Sequence, residues 1–145
     1  MTDSANSKPP VLVATTVDTE DARGLAEFYR ELFGLVYRPG DEPPSAGEPD
    51  PKGEEWLVLR DRDGQNRLAF QQIKHSPPAT WPEGPRPQML HLDTKVPTVE
   101  DLFIQRQRAL DLGASELHDH SDDPEEPLFV LADPSGHPFC IFVGE

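Results

Sequence analysis

Residues 11–34 read VLVATTVDTEDARGLAEFYRELFG, a β-branched apolar run that passes without a long loop into an amphipathic helix. The run 11–17 is strand-like, and Asp18 or Thr19 can cap the helix behind it. Leu25, Phe28, Tyr29 and Leu32 then recur at helical spacing until Gly34 supplies a stop. Downstream, EEWLVLRD (54–61) and NRLAFQQI (66–73) read as two strands joined across Asp63-Gly64, a turn signal. With LVYR (35–38) as a short strand, the order is βαβββ.

The same order returns further on. QMLHLDTKV (88–96) is a strand, and residues 98–113 are a helix capped by Thr98 and stopped by Gly113. SELH (115–118), LFVLAD (128–133) and HPFCIFV (137–143) are short strands, the last two joined by the turn Asp133-Pro134-Ser135-Gly136. The chain holds 17 prolines in 145 residues, more than twice the usual ~5%. Ten of them lie between Pro39 and Pro51 or between Pro77 and Pro87, where a missing backbone donor enforces loop. The expected organisation is a flexible segment 1–10 and one domain over 11–143, divided into module one (11–73), a proline-rich linker (74–87) and module two (88–143).

Composition narrows the partners. Asp and Glu number 27 against 13 Lys and Arg, a formal charge of −14 that repels nucleic-acid phosphates and anionic lipid. Neither nucleic acid nor a membrane is expected as a partner. A length of 145 residues lets one domain bury roughly 70% of its unfolded surface. The single cysteine, Cys140, cannot form an internal disulfide, no apolar run reaches the ~18 residues of a membrane span, and MTDSANSKPP lacks the order of a secretory signal. A cytoplasmic protein is the expectation.

The doubled βαβββ order, AEFYRELFGL (26–35) after the first strand and FVLADPSGHPFCIFV (129–143) at the end resemble the glyoxalase/bleomycin-resistance/dioxygenase (vicinal oxygen chelate) superfamily. The resemblance implies an α+β fold in which the two modules form a curved, mixed, mainly antiparallel eight-stranded sheet, a cup, with the helices outside. It also implies a small-molecule pocket and a homodimer. The superfamily's metal enzymes place His or Glu in the first and last strands of each module. Counting back five residues from Val96 reaches His91, which matches a metal histidine; the same count from Val17 reaches Leu12, and Cys140 stands where those enzymes carry glutamate. LAFQQI offers no carboxylate, so no metal and no other cofactor is expected.

Period-two alternation assigns faces. Met89, His91, Asp93 and Lys95 belong to the cup, with Leu90, Leu92 and Val96 under the helices. The same parity puts Leu12, Ala14 and Thr16, Trp56 and Val58, Leu68, Phe70 and Gln72, and Cys140 and Phe142 on the cup. Trp56, Phe70, Gln72, His91, Asp93, Cys140 and Phe142 are therefore the candidate ligand-binding residues, with His91 the candidate acid or base. Each has a plainer reading as core packing or a self-solvating His–Asp pair, and Cys140 as a small buried hydrophobe. His118 and His120 have an alternating spacing that could bind a metal, but HDHSDD reads better as a solvated loop. Acids crowd the first proline loop (Asp41, Glu42, Glu48, Asp50, Glu54, Glu55) and residues 116–126, as solvated faces or as a rim attracting a cation. The expected function is metal-independent binding of a small organic molecule, with antibiotic sequestration as its candidate role. The alternative is a lyase, isomerase or dioxygenase using His91 as acid/base or as a residual metal ligand.

Overall fold

The computed structural model describes residues 7–144; residues 1–6 of the segment expected to be flexible lie outside the described residues. The element order is β1 (Thr15–Thr19), α1 (Ala22–Phe33), β2 (Val36–Tyr37), β3 (Trp56–Arg60), β4 (Asn66–Gln72), β5 (Leu92–Val96), α2 (Val99–Asp111), β6 (Ser115–Asp119), β7 (Leu128–Ala132) and β8 (Pro138–Val143). The α+β class is as expected. The eight strands divide into two four-stranded sheets of identical topology, β1-β4-β3-β2 and β5-β8-β7-β6. In each, one parallel pair (β1 with β4, β5 with β8) adjoins two antiparallel ones.

Both helices start and stop by local chemistry. Asp21, rather than Asp18 or Thr19, is the cap and accepts the Gly24 N–H at 2.9 Å, and Gly34 closes α1 in the left-handed region (φ 65°). Thr98 caps α2 by accepting the Asp101 N–H at 3.1 Å. The apolar faces of both helices meet one face of each sheet in a single continuous core. Tyr29 joins the halves: its ring stacks on Phe70 of β4 at 6.0 Å and meets Phe139 of β8 edge-on at 6.1 Å.

Two strands begin later than their sequence suggests. β1 starts at Thr15, because pairing with β4 begins at Leu68 and residues 11–14 have no ladder partner. β5 starts at Leu92, because a tight turn from Leu90 N–H to the Gln88 carbonyl, with Met89 at φ 57°, interrupts the extended run. Val11, Leu12, Val13, Met89 and Leu90 are consequently exposed.

The first proline loop is tied down. The fully buried Asp41 carboxylate accepts the Val58 N–H at 2.9 Å, where β2 has left the edge of β3, and lies 3.1 Å from Arg38. Arg23 of α1 donates to the Asp41 carbonyl (2.7 Å) and to both oxygens of Asp50 (2.8 and 2.9 Å). Asp41 and Asp50, read from sequence as solvated or rim acids, therefore anchor the loop.

At the junction of the halves Asp133 is buried. It accepts Tyr29 Oη–H at 2.6 Å and the N–H groups of Ser135 and His137, and the His137 ring Nδ1 lies 2.8 Å away. Burial disfavours the charged imidazole of His137, but the hydrogen bond and charge of Asp133, aided by Asp18, outweigh it and raise its pKa. Tyr29→Phe should cost about 2 kcal/mol in urea unfolding, the scale of a hydrogen bond to a buried charge, and an unchanged midpoint would deny Asp133 this role. Because the folded pKa of His137 is raised, its contribution is complete below the unfolded value near 6.5 and is lost as pH rises through the folded value. The stability gap between wild type and His137→Gln should accordingly be larger at pH 5.5 than at pH 9; a gap that widens with pH would contradict the assignment.

Candidate functional site

Each sheet has one face under the helices and one open face, and cross-strand pairing decides which side chains share the open face. In sheet two, Asp93 pairs with Cys140, Cys140 with Val130, and Val130 with His118, making one row across four strands. Lys95, Phe142 and Leu128 form the next row, which His120 extends through two backbone hydrogen bonds with Leu128. Trp81 of the proline-rich linker reaches this face and meets the His118 ring edge-on, centroids 6.5 Å apart. Trp81, Gln88, His91, Asp93, Glu126, Leu128, Val130, Cys140 and Phe142 line a half-open cavity of about 390 Å³. That size is at the small-molecule end of ligand pockets.

The residues expected at the site separate into two groups. His91, Asp93, Cys140 and Phe142 meet in this cavity. Trp56 stands on the open face of sheet one, in a row with Gln71 and Asp18, and is not among the residues lining it. Phe70 and Gln72 face the other way: Phe70 is fully buried against Tyr29, and Gln72 accepts the Ala22 N–H at 3.0 Å at the start of α1. Leu68 shares their face. The cup residues of β4 are instead Arg67, Ala69 and Gln71, because β1 aligns Thr16 with Ala69 and Asp18 with Gln71. Leu12 lies outside β1 and is 92% exposed. Sequence parity missed Trp81 because a loop has no period; the only signal was a tryptophan within a proline-rich stretch.

The pairing also identifies equivalent positions in the two modules. β1 and β5 each end three residues before the first residue of a helix, so Ala14 corresponds to His91. Asp93 pairs with Cys140 as Thr16 pairs with Ala69, so Ala69 corresponds to Cys140. The four places at which the resemblance led metal ligands to be expected thus hold Ala14, Ala69, His91 and Cys140. Two methyl groups cannot bind a metal ion, and the thiol is a poor donor here: burial, then Asp93 and Glu126, push its pKa up to about 11. No group of three or more His, Cys, Asp or Glu able to hold an ion occurs among the described residues. A metal centre of the expected kind does not fit these residues.

The electrostatic character is that of an apolar wall with an acidic rim. His91 Nε2 lies 3.2 Å from Asp93 Oδ1, and Asp93 and Glu126 border Phe142, Leu128 and Val130. His91 also borders a second cleft of about 370 Å³ between the modules, walled by Thr16, Asp18, Tyr29 and His137. A larger hollow of about 600 Å³ lies on the helix side, beside the end of α1. Its Arg108 is committed to the carbonyls of Glu31 and Leu32, and neither His91 nor Cys140 is among its lining residues. The open face of sheet two therefore has the stronger claim to a ligand.

Known proteins agree with this architecture. A family model described as a glyoxalase-like domain matches residues 14–142. Solved structures with the same fold include a glyoxalase/bleomycin resistance protein/dioxygenase family enzyme from Burkholderia phytofirmans (16% identity, 90% of this chain and 96% of that one, TM-score 0.64). A lactoylglutathione lyase from Agrobacterium tumefaciens is similar at 18% identity (94% and 96%, TM-score 0.57). So is a fosfomycin resistance protein from Listeria monocytogenes bound to Mn(II) and sulfate, at 14% identity (95% and 95%, TM-score 0.62). Among curated protein sequences no relative matches. At these identities the likeness to solved structures is one of fold, while the family model spans both sheets. The chain belongs to the glyoxalase-like domain family.

Proposed function

We propose that the chain binds a small organic molecule, without a metal centre and without making or breaking a bond, in the cavity on the open face of sheet two. The observation that carries this reading is the occupancy of the four equivalent positions, Ala14, Ala69, His91 and Cys140, beside an apolar wall. Phe142, Leu128 and Trp81 offer contact area, while Asp93 and Glu126 favour a cationic group. Sequestration of a cationic antibiotic is the role this suits best. The Listeria monocytogenes protein of the same fold is also a resistance protein, toward fosfomycin. The lyase or isomerase reading draws on one observation, the His91–Asp93 pair at 3.2 Å, and needs His91 as a proton carrier.

We further propose a homodimer in the cytoplasm. Val11, Leu12, Val13, Met89 and Leu90, two apolar segments at equivalent places in the modules, are exposed in the single chain and suited to covering by a second copy. No helix among the described residues is long and apolar enough to cross a membrane.

A thermal-shift screen of cationic aromatic compounds, neutral analogues and glutathione adducts tests the binding reading. A cationic compound should raise the melting temperature without being consumed, and Trp81→Ala or Phe142→Ala should weaken it about tenfold, equivalent to 1.4 kcal/mol. Asp93→Asn should weaken a cationic ligand and spare its neutral analogue. Turnover of a glutathione adduct abolished by His91→Ala would replace sequestration with the lyase reading. Phe70→Ala, by contrast, should cost about 3–5 kcal/mol of stability as a core truncation. Cys140 should react with iodoacetamide at pH 7.5 far more slowly in the folded chain than in urea; rapid native labelling would contradict a protonated, buried thiol.

A further inference from the structure

The cavity on the open face of sheet two and the cleft between the modules are neighbours with common walls. Gln88 and His91 line the first, of about 390 Å³, and also the second, of about 370 Å³. In an extended strand two residues three apart point to opposite faces, so Gln88 and His91 would not meet in one cavity. The turn at Met89 reverses that parity: with φ 57° it is the one non-glycine residue in the positive-φ region among the described residues. A long side chain holds that conformation at a cost, and such strain gathers at segments that clasp a ligand. The Leu90 N–H closes the turn on the Gln88 carbonyl at 2.6 Å. The Gln88 side-chain amide, which can both donate and accept, has no hydrogen-bond partner among the described residues.

The two hollows differ in character. Asp93 and Glu126 border the first beside Trp81 and Phe142. Those carboxylates attract a cation, and the aromatic rings can offer it their faces. The second is mainly apolar: Val17 and Leu92 are half-buried in its wall, Tyr29 and Pro138 are buried, and Met89 and Leu90 form an exposed lip. Two of its polar groups are already engaged, since Tyr29 Oη–H donates to Asp133 and the His137 ring lies 2.8 Å from the same carboxylate. Among the described residues no Lys or Arg lines either hollow, and Asp18 adds a further negative charge to the cleft.

We propose that the two hollows form one elongated site for an amphipathic cation, with its charged head beside Asp93 and Glu126 and its apolar tail passing Gln88 and His91 into the cleft between the modules. The proposal rests on the binding reading above and narrows it, because the ligand is long rather than compact. Either hollow alone stands at the small end of the range for ligand pockets; joined, they fall well inside it. Gln88 stands at the waist of the site, where its amide meets a polar group between head and tail.

Calorimetric titration with ω-phenylalkyl-trimethylammonium ions carrying one to six methylenes tests the extension. Each methylene that enters the cleft should tighten binding about fourfold, until the cleft is full and the gain levels off. Thr16 lines the cleft and not the cavity on sheet two, so Thr16→Trp should remove the gain and leave the one-methylene ion bound as before. Asp93→Asn should weaken every member of the series. The unaltered chain alone decides the matter should Thr16→Trp disturb folding: binding of the shortest ion with no gain along the series would overturn the extension and leave the binding reading standing. An equal gain in the unaltered chain and in Thr16→Trp would overturn it too, by placing the tail elsewhere. Binding of no member would overturn the cationic reading and the extension together.

Discussion

The buried carboxylate of Asp133 is the constraint on which the rest of the structure depends. A charge removed from water must be surrounded by donors, and here those donors come from separate elements: Tyr29 of α1 and the backbone and ring of His137 at the entry to β8. Satisfying one side chain therefore fixes α1 against the second sheet and sets where β8 begins. Tyr29, once held, can stack on Phe70 and touch Phe139, so both sheets share one core. The register of β8 then determines that Phe139 and Ile141 pack inward while Cys140 and Phe142 turn to the open face.

From that register the chemistry of the open face is set. A row defined by backbone pairing brings Asp93, Cys140, Val130 and His118 together across residues 93–140 of the sequence. The corresponding row of module one carries Thr16, Ala69 and Val58. In this row, sheet two thus presents a carboxylate, a thiol and an imidazole where sheet one presents a hydroxyl, a methyl and an isopropyl group. The linker adds Trp81, giving that sheet an aromatic cover that the strands alone do not provide.

Much of this was legible in the residues. Apolar spacing and capping located both helices, and the doubled βαβββ order led to the family. Faces were harder. A β-branched run such as 11–17 marks strand propensity, but a strand needs a partner, and residues 11–14 have none; counting from Val17, two residues short of the strand's end at Thr19, put Leu12 where Ala14 belongs. In LAFQQI both parities contain apolar residues, so alternation alone could not choose. The pairing of Thr15 with Leu68 chose, and placed Phe70 and Gln72 under the helix. Asp41 and Asp50 looked like solvated acids because sequence does not show that Arg23 and the Val58 N–H await them. Trp81 and Gln88 reach the site through a loop path and a turn, which no local pattern encodes.

A ligand on the open face of sheet two either lies against Trp81 and Phe142 or is held through an ion at His91 and Cys140. The direct measurement is a crystal structure of the chain grown with a compound that raises its melting temperature and with excess Mn²⁺. The expected result is the compound against Trp81 and Phe142, with its polar end toward Asp93 or Glu126, and no ion bonded to His91 or Cys140. An ion bonded to both residues and to the compound would contradict metal-free binding.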